Sequence, residues 1–585
     1  MFTKVLVANR GEIAVRVCRT LREMGIASVA VYSEADRELP FVEYADEAYA
    51  IGPGPAAESY LRGETIIRTA QRSGAEAIHP GFGFLAENPA FARACAAAGL
   101  TFIGPSPDAM EAMASKTAAR QVMAAAGVPI VPGVTEPVAT LDEARAAAAE
   151  IGYPVVVKAA AGGGGKGIKT AAGPDELDRA FESAQREGKA YFADDAVYLE
   201  RYLERPRHVE VQVLADLHGN VIHLGERDCS IQRRHQKILE ETPSPAVTPE
   251  LRERIGAIAV DAARAVGYTN AGTVEGLLDA DGSYYFLEMN TRLQVEHTVT
   301  EMVTGLDLVR EQVWIAGGRP LGWTQADVRL TGHAIQCRIN AEDPAAGFVP
   351  TPGVITRYRE PSGPGVRIDS GVAEGSTISG LYDPMIAKLV VWDEDRELAR
   401  KRMLRALSEL EIEGPKTLIP LHRQILEHRD FIAGGLLHEF VEAGGTLGVD
   451  EPPGSDPGAR GLTPGVGEVR TLPVEVDGKR FDVTVTVPEH PGRTRLRERR
   501  AAIAERERTA HGAADVVRSP MQGTVLTVGV AAGDTVSPGD VLIVVEAMKM
   551  ENEIVAHHPG AVEAVEVAAG DQVSVGQALV RLGAT

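Results

Sequence analysis

Within the stretch Thr273 to His297 the sequence gathers four side chains able to handle a charged substrate: Glu275, Glu288, Asn290 and Arg292. Asp281-Gly282 is a turn dipeptide that predicts a two-residue hairpin, and counting back along both strands from it brings Glu275 opposite Glu288. Two carboxylates opposed across a ladder repel unless a cation lies between them, and such oxygen donors suit Mg²⁺ or Mn²⁺. If the second strand runs on, Glu288, Asn290 and Arg292 share one face at period two. That adds an amide ligand and then a cation, with Leu287 and Met289 turned to a core. The alternative is a solvated polar strand face.

A second candidate lies upstream. Val155 to Lys158 reads as a strand, followed by the glycines Gly162, Gly163, Gly164 and Gly165, then Lys166, and a second strand from Ile168. Glycines let backbone N–H groups close around phosphate oxygens, with Lys158 and Lys166 supplying countercharge. This is not a Walker A loop. Gly167 stands at the Ser/Thr position, Ala160 at that of the first Gly, and a strand follows rather than a helix. A glycine run by itself fits a linker as well.

A third is Lys549, in Glu546-Ala547-Met548-Lys549-Met550. It lies between two copies of one pattern, Val530-Ala531-Ala532-Gly533-Asp534 and Val567-Ala568-Ala569-Gly570-Asp571, offset by 37 residues. Each copy is strand, Gly-Asp turn, strand. Neither buries a face alone, so the two are expected to interlock as a small β-sandwich or flattened barrel with Lys549 at a hairpin tip. Such a lysine is either simply solvated or offered for modification.

The elements that must position these groups are set by length and pattern. With 585 residues, 44% hydrophobic and 24% charged, the chain needs several cores. A formal charge of −22 argues against nucleic-acid binding. Cys18, Cys95, Cys229 and Cys337 are scattered singly, neither a disulfide framework nor a zinc pattern. No leader or apolar span is evident, and a cytoplasmic protein that binds no membrane is expected. Val5 to Ala8, Ile13 to Met24 and Ser28 to Val31 form a βαβ opening. Its single turn glycine favours an α/β scaffold over a dinucleotide site. Alternation continues to about Pro107. A second α/β region ends before Gly317, and a strand-richer region runs from about Leu330 to Gly445. Gly444 to Gly467 reads as a linker. Beyond it, Asp477-Gly478 predicts a hairpin, and the charge run Arg493 to Arg508 fits a solvated tether or a docking segment.

Dispersed motifs carry a family resemblance: Asn9-Arg10-Gly11-Glu12-Ile13-Ala14, His79 to Asn88, Arg207-His208-Val209-Glu210, Arg233 to Lys237, Glu288 to His297 and Cys337 to Glu342. From Met1 to about Gly445 the chain resembles a biotin carboxylase of the ATP-grasp superfamily. The segment around Ala547-Met548-Lys549-Met550, with Pro520-Met521-Gln522-Gly523 in place of the usual Pro-Met-Pro-Gly, resembles a biotinyl carrier domain.

Carboxylase plus carrier on one chain resembles the alpha subunit of bacterial acyl-CoA carboxylases. The fold so implied is α/β and α+β multidomain. It comprises a Rossmann-like N-terminal domain (1–115), an ATP-grasp domain (116–320), a β-rich C-terminal carboxylase domain (330–445), a linker with a small hairpin (446–512) and an all-β carrier domain with internal repeat (513–585).

The resemblance also implies roles. Lys116, Lys158, Gly163, Gly164, Gly165, Lys166, Glu200, Leu203, His208, Gln232 and His235 would hold ATP. Glu275, Glu288 and Asn290 would hold Mg²⁺ or Mn²⁺. Lys237, Arg292 and the backbone of Val295 would hold bicarbonate, with Glu296 the general base and Arg338 stabilising the oxyanion of biotin carried on Lys549. Arg292 and Arg338 are also the kind of arginines that form ion pairs within a sheet. The implied partners are a carboxyltransferase beta subunit, in an oligomeric hetero-complex, and a biotin protein ligase. The rivals are an ATP-grasp ligase making an amide or carbamoyl product, a non-catalytic nucleotide-binding scaffold, and a piece of a pyruvate or urea carboxylase.

Overall fold

In the computed structural model every residue is described except 135, 160–167, 193–195, 235, 443, 446–467, 477–478, 488–515, 548–549, 575 and 584–585. The chain divides into two units, Met1–Leu447 and Gly448–Thr585.

The first unit opens with a parallel five-stranded sheet in the order Glu47–Gly52, Ala27–Ser33, Lys4–Val7, Ala77–His79, Thr101–Phe102. Its strands are apolar on both faces because both are covered. Val5 and Val7 pack with Ile13, Val17 and Leu21 of the helix Gly11–Glu23, and Leu6 with Ile66 and Phe91 on the other side. This is the expected Rossmann-like scaffold.

A three-stranded antiparallel sheet follows, with Val155–Ala159 between Ile168–Ala171 and Val197–Arg201. The helices Leu141–Ile151 and Pro174–Phe192 lay Ala144, Ala148, Leu177 and Phe181 against it.

The largest element is an eight-stranded sheet in the order Tyr284–Asn290, Asn270–Leu278, Arg207–Ala215, Val221–Arg233, Gln236–Thr242, His333–Asn340, Met385–Asp393, Val366–Ser370. Every neighbouring pair is antiparallel. It runs through both the middle and the C-terminal regions read from the sequence, which are therefore one sheet. On Arg207–Ala215, Val209, Val211 and Val213 join the core beneath the helix Pro249–Ala265. The alternate residues His208, Glu210 and Gln212 fall on the opposite face. The C-terminal region ends in helices, Arg396–Glu409, Ile419–Glu427, Arg429–Ile432 and His438–Glu442, so it carries more helix than the strand-rich reading suggested.

The hairpin through Asp281-Gly282 differs from the two-residue turn predicted. Leu278 pairs with Tyr284, Asp279 N–H donates to the Ser283 carbonyl, and Ala280, Asp281 and Gly282 make a three-residue loop with Gly282 at φ +82°. This is the loop type in which a residue of positive φ closes a type I turn. Further along, Gly276 pairs with Phe286 while Glu275 pairs with Glu288, which leaves Leu287 as the extra residue of a β-bulge. The loop moves the register by one residue and the bulge moves it back. Glu275 thus faces Glu288 as expected, but Leu287 is half-buried and does not share the face of Met289 in the core. The strand stops at Asn290, so Arg292 lies beyond it.

In the second unit the strands Glu468–Val476 and Lys479–Val487 pair as a hairpin, Val476 opposite Lys479. The turn residues Asp477 and Gly478 and the charge run 493–508 lie outside the described residues. The repeat forms two four-stranded sheets. One has the order Val516–Arg518, Ala578–Gly583, Gly560–Val565, Thr535–Val536. The other has Met550–Val555, Val541–Ala547, Gly523–Val528, Gln572–Val573. Each sheet draws strands from both copies, so the halves interlock. The turns repeat as well. Asp534 Oδ2 accepts the Ala531 N–H at 2.7 Å, and Asp571 Oδ2 accepts that of Ala568 at 2.8 Å. All four cysteines are buried and free. Among the described residues no helix is long and apolar enough to cross a membrane.

Candidate active site

On the face of the large sheet opposite the Pro249–Ala265 helix, the register sets Arg227, Glu210, Glu275 and Glu288 abreast on four adjacent strands. Three carboxylates in a row repel one another, and the structure shows what holds three of these groups together. Arg227, 0% exposed, spends all five N–H donors. Nε donates to Glu210 (2.6 Å), Nη1 to Gln212 (2.8 Å) and Thr300 (3.0 Å), and Nη2 to Thr273 (3.0 Å) and Gln294 (2.7 Å). Gln294 in turn donates to Glu275 Oε1 at 2.6 Å.

Lys237, from the next hairpin, reaches into the row. Its Nζ donates to Glu210, to Glu275 at 2.8 Å and to Glu296 at 2.7 Å. His208 Nε2 lies 3.0 Å from Glu275 Oε2 without the alignment of a hydrogen bond.

Burial alone would neutralise these groups, and their charges prevent it. Burial lowers the Lys237 ammonium, but Glu210, Glu275 and Glu296 together push it well above its ordinary value. Burial raises Glu275, yet Lys237 and His208 hold it well below the carboxylate range. Glu210 is likewise held low, by Lys237 and Arg227 against burial. His208, disfavoured by burial and favoured by Glu275, is raised to about 9. The cluster is therefore ionised on both sides at neutral pH.

Glu296 begins the helix His297–Thr304 and is 2% exposed. Its two oxygens are held from opposite sides, Oε1 by Lys237 and Oε2 by Arg338 Nη2 at 2.9 Å. Burial and Glu210 raise its pKa, Lys237, Arg338 and Arg227 lower it, and the net direction is down. Arg338 also donates from Nε to Glu240 at 2.6 Å. The Val295 carbonyl accepts from Lys388 Nζ at 3.2 Å. Arg292 donates to Glu87 (3.0 Å), Asn290 Oδ1 (2.9 Å) and the Leu293 carbonyl (3.3 Å). Arg338 makes the ion pair within a sheet weighed for it, with Glu240 on the neighbouring strand, whereas Arg292 lies beyond its strand and pairs with Glu87 of a turn.

Glu275, Glu288 and Asn290 offer three oxygen donors at adjoining positions of one hairpin, a set whose chemistry fits Mg²⁺ or Mn²⁺. Asn290 Nδ2 donates to Glu275 Oε1 at 2.7 Å. His208, Glu210 and Glu275 also place ligand atoms within 4.8 Å of one another, as do Glu210, Cys229 and Glu296. Lys237 already occupies the middle of both groups, and burial and Glu210 push the Cys229 thiol well above its ordinary range. A protonated thiol is a poor ligand. The all-oxygen set remains the better one.

The nucleotide-side residues are only partly in view. Lys158 pairs with Ile168 across the ladder, which fits strand, loop, strand, but Gly163, Gly164, Gly165 and Lys166 lie outside the described residues. Lys158 and Arg120 both bind the carboxylate of Glu200, so Glu200 holds a lysine in place with that group. Leu203 is buried nearby in sequence, and Gln232 Nε2 donates to the Cys229 carbonyl at 2.8 Å. Lys116 opens the helix Lys116–Ala125, its side chain outside the description, and His235 lies outside the described residues altogether. In the second unit Ala547 pairs with Met550, and Met548 and Lys549 between them lie outside the description.

Sequence reasoning missed Glu210, Arg227, Gln294, Glu240 and Arg120. Period two from His208 puts Glu210 on the same strand face, a signal that was available. Gln294 stands inside the quoted motif Glu288 to His297 though no role was given to it, and Arg227 gives no signal, since a buried arginine with five partners reads in sequence like any exposed one.

Known proteins share this architecture. Residues 1–110 match the family model "Biotin carboxylase, N-terminal domain", 115–324 "Carbamoyl-phosphate synthase L chain, ATP binding domain", 336–443 "Biotin carboxylase C-terminal domain" and 515–582 "Biotin-requiring enzyme". The chain is 56% identical to a pyruvate carboxylase subunit of Methanothermobacter thermautotrophicus over 76% of its own length and 90% of that protein's. It is 46% identical to the biotin-dependent acyl-coenzyme A carboxylase alpha3 subunit of Mycobacterium leprae, over 96% and 95%. Among solved structures, the biotin carboxylase domain of Hydrogenobacter thermophilus 2-oxoglutarate carboxylase, in complex with MgADP, ADP and bicarbonate, is 50% identical. Its TM-score is 0.73, covering 76% of this chain and 99% of that one.

Proposed function

The chain belongs to the biotin carboxylase family, with a biotin-requiring carrier domain fused to it, and from that premise we propose that it is the alpha subunit of an acyl-CoA carboxylase. In this reading it carboxylates biotin attached to its own Lys549 and passes the carboxyl group to a separate carboxyltransferase beta subunit. The observation that carries the reading is that the match to an acyl-coenzyme A carboxylase alpha3 subunit extends over 96% of this chain, carboxylase and carrier together.

Bicarbonate enters against Lys237, Arg292 and the Val295 N–H. Glu296 takes its proton, and the freed oxygen attacks the γ-phosphorus of ATP. The P–O bond to ADP breaks, giving carboxyphosphate, which falls apart to CO₂ and phosphate. Glu296 is ionised but weakly basic while Lys237 holds it. An anion that draws Lys237 away relieves that hold at the moment the base is needed. Lys158, His208, Gln232 and the glycine loop hold the nucleotide, with Lys116, His235 and the stretch Glu200 to Leu203 around it. Glu275, Glu288 and Asn290 would hold a divalent ion, which would supply positive charge to offset that of the phosphates. Biotin supplies the ureido nitrogen that captures CO₂, and the proton of its N–H passes to the phosphate just released. Arg338, beside Glu296, donates to the oxyanion that develops there.

The test is ATP hydrolysis by the biotinylated chain, followed by transfer with a purified beta subunit. Hydrolysis should require bicarbonate and fall at least about 10²-fold in Glu296→Ala. Carboxyl transfer to acetyl- or propionyl-CoA supports the alpha-subunit reading. The higher identity to a pyruvate carboxylase subunit makes pyruvate the competing acceptor, and transfer to pyruvate alone overturns that reading.

A further inference from the structure

Glu87 belongs to no role assigned so far, yet it joins the first parallel sheet region to the catalytic loop. Its Oε1 accepts the backbone N–H of Thr291 at 2.8 Å and the Thr291 hydroxyl at 3.2 Å, and its Oε2 accepts Arg292 Nε at 3.0 Å. We propose that Glu87 is a positioning residue that aims the Arg292 guanidinium at a trigonal oxyanion of the bicarbonate class, a proposal that rests on the reading of Arg292 as an anion-holding residue.

Three observations converge on it. Glu87 is itself fixed. Ala86 N–H bonds the Gly83 carbonyl at 3.0 Å and Asn88 N–H the Leu85 carbonyl at 3.2 Å. The Asn88 side chain then caps the helix Pro89–Ala97 by accepting from Phe91 N–H at 2.9 Å. The carboxylate thus projects from a tight turn rather than a loose loop, and loses little freedom in making its bonds.

The second is the accounting at Arg292. Among the described residues three of its five donors are taken, Nε by Glu87, one on Nη2 by Asn290 Oδ1 and one on Nη1 by the Leu293 carbonyl. One N–H is left on each terminal nitrogen. A guanidinium held at three points is fixed in orientation and keeps an N–H on each terminal nitrogen for the oxygens of a planar anion.

The third is the contact with the metal-ligand candidate. The Arg292 fork also orients Asn290 by taking its Oδ1, so one carboxylate 41% exposed on a neighbouring region sets the aim of both. Asn290 and Leu293 belong to the same local segment as Arg292 and would move with it. Glu87 is the hydrogen-bonding side chain that ties Arg292 to a region about 200 residues earlier in the chain, while Leu293 packs in the core with Val5 and Val7 of the first sheet.

The exposure of Glu87 makes it a safe position to change. The experiment is steady-state ATP hydrolysis by the full-length biotinylated protein, with bicarbonate and ATP varied in turn, for Glu87→Ala, Glu87→Gln, Arg292→Ala and the double variant Glu87→Ala/Arg292→Ala. Glu87→Ala should raise the KM for bicarbonate about 10-fold and the KM for ATP by less, while the melting temperature stays near that of the parent. Glu87→Gln, which keeps an acceptor oxygen, should recover part of the loss. The double variant should be no worse than Arg292→Ala, because Glu87 acts through Arg292. An unchanged bicarbonate KM in Glu87→Ala, or losses that add in the double variant, overturns the proposal while leaving the role of Arg292 intact. An unchanged bicarbonate KM in Arg292→Ala overturns that role and the proposal with it.

Discussion

At the scale of single residues, the working properties of Glu296 come from its neighbours. Burial would raise its pKa, but Lys237 and Arg338, one on each oxygen, bring it below its ordinary value. As the proposed base Glu296 acts when ionised, so activity is expected to persist above that pKa and to fall as pH drops through it. Removing a lowering charge must move this acid limb upward. In Arg338→Gln the limb of kcat/KM for bicarbonate-dependent ATP hydrolysis should shift to higher pH by roughly one pH unit, on top of a lower plateau. A pH profile of the variant beside the parent measures it, and a limb that stays put means Arg338 does not govern Glu296. Much of this was legible in the residue types, because Glu296, Arg292, Arg338 and Lys237 all stand in quoted motifs. The hub behind them was not. Arg227 acquires its meaning from Glu210, Gln212, Thr273, Gln294 and Thr300, which no spacing rule brings together.

At the scale of elements, the hairpin Asn270–Leu278 with Tyr284–Asn290 depends on one inserted residue. The Leu287 bulge restores the register that the three-residue loop shifts, and only then do Glu275 and Glu288 oppose each other. Deleting the extra residue Leu287 would leave Glu288 beside Phe286 and still opposite Glu275, so the pair is tested by removing a carboxylate instead, in Glu288→Ala. The expected result is a loss of roughly 10- to 100-fold or more in kcat/KM for MgATP. The requirement for divalent metal should rise in parallel, read by titrating Mg²⁺ with the melting temperature recorded. Retained activity at ordinary Mg²⁺ would show that the pair does not hold the metal. The sequence predicted the right facing pair from the wrong turn, since two opposite register errors cancelled. A bulge leaves little local mark in a strand of apolar and aromatic residues, whereas a Gly-bearing turn announces itself.

At the scale of the whole molecule, the carrier repeat, whose two copies interlock, and the segments that match biotin carboxylase fall in different units. Delivery of biotin by tether therefore separates from chemistry at the site. Lys549→Arg keeps the charge but offers no amine for an amide bond. It should show no biotin mass increment and no carboxyl transfer, yet retain ATP hydrolysis stimulated by free biotin within about twofold of the unmodified parent. Loss of the free-biotin reaction would mean that the carrier completes the active site.

The sequence by itself determined the α/β opening, the interlocking repeat and the facing pair of carboxylates. Buried strands, Gly-Asp turns and period-two alternation are local properties that survive in one dimension. Only the tertiary structure decided that one eight-stranded sheet joins the middle and C-terminal regions. It alone set Glu210 between Arg227 and Glu275, and lodged Lys237 among three carboxylates. Those arrangements depend on strands far apart in the chain meeting in a particular order, and on burial making every charge there find a partner.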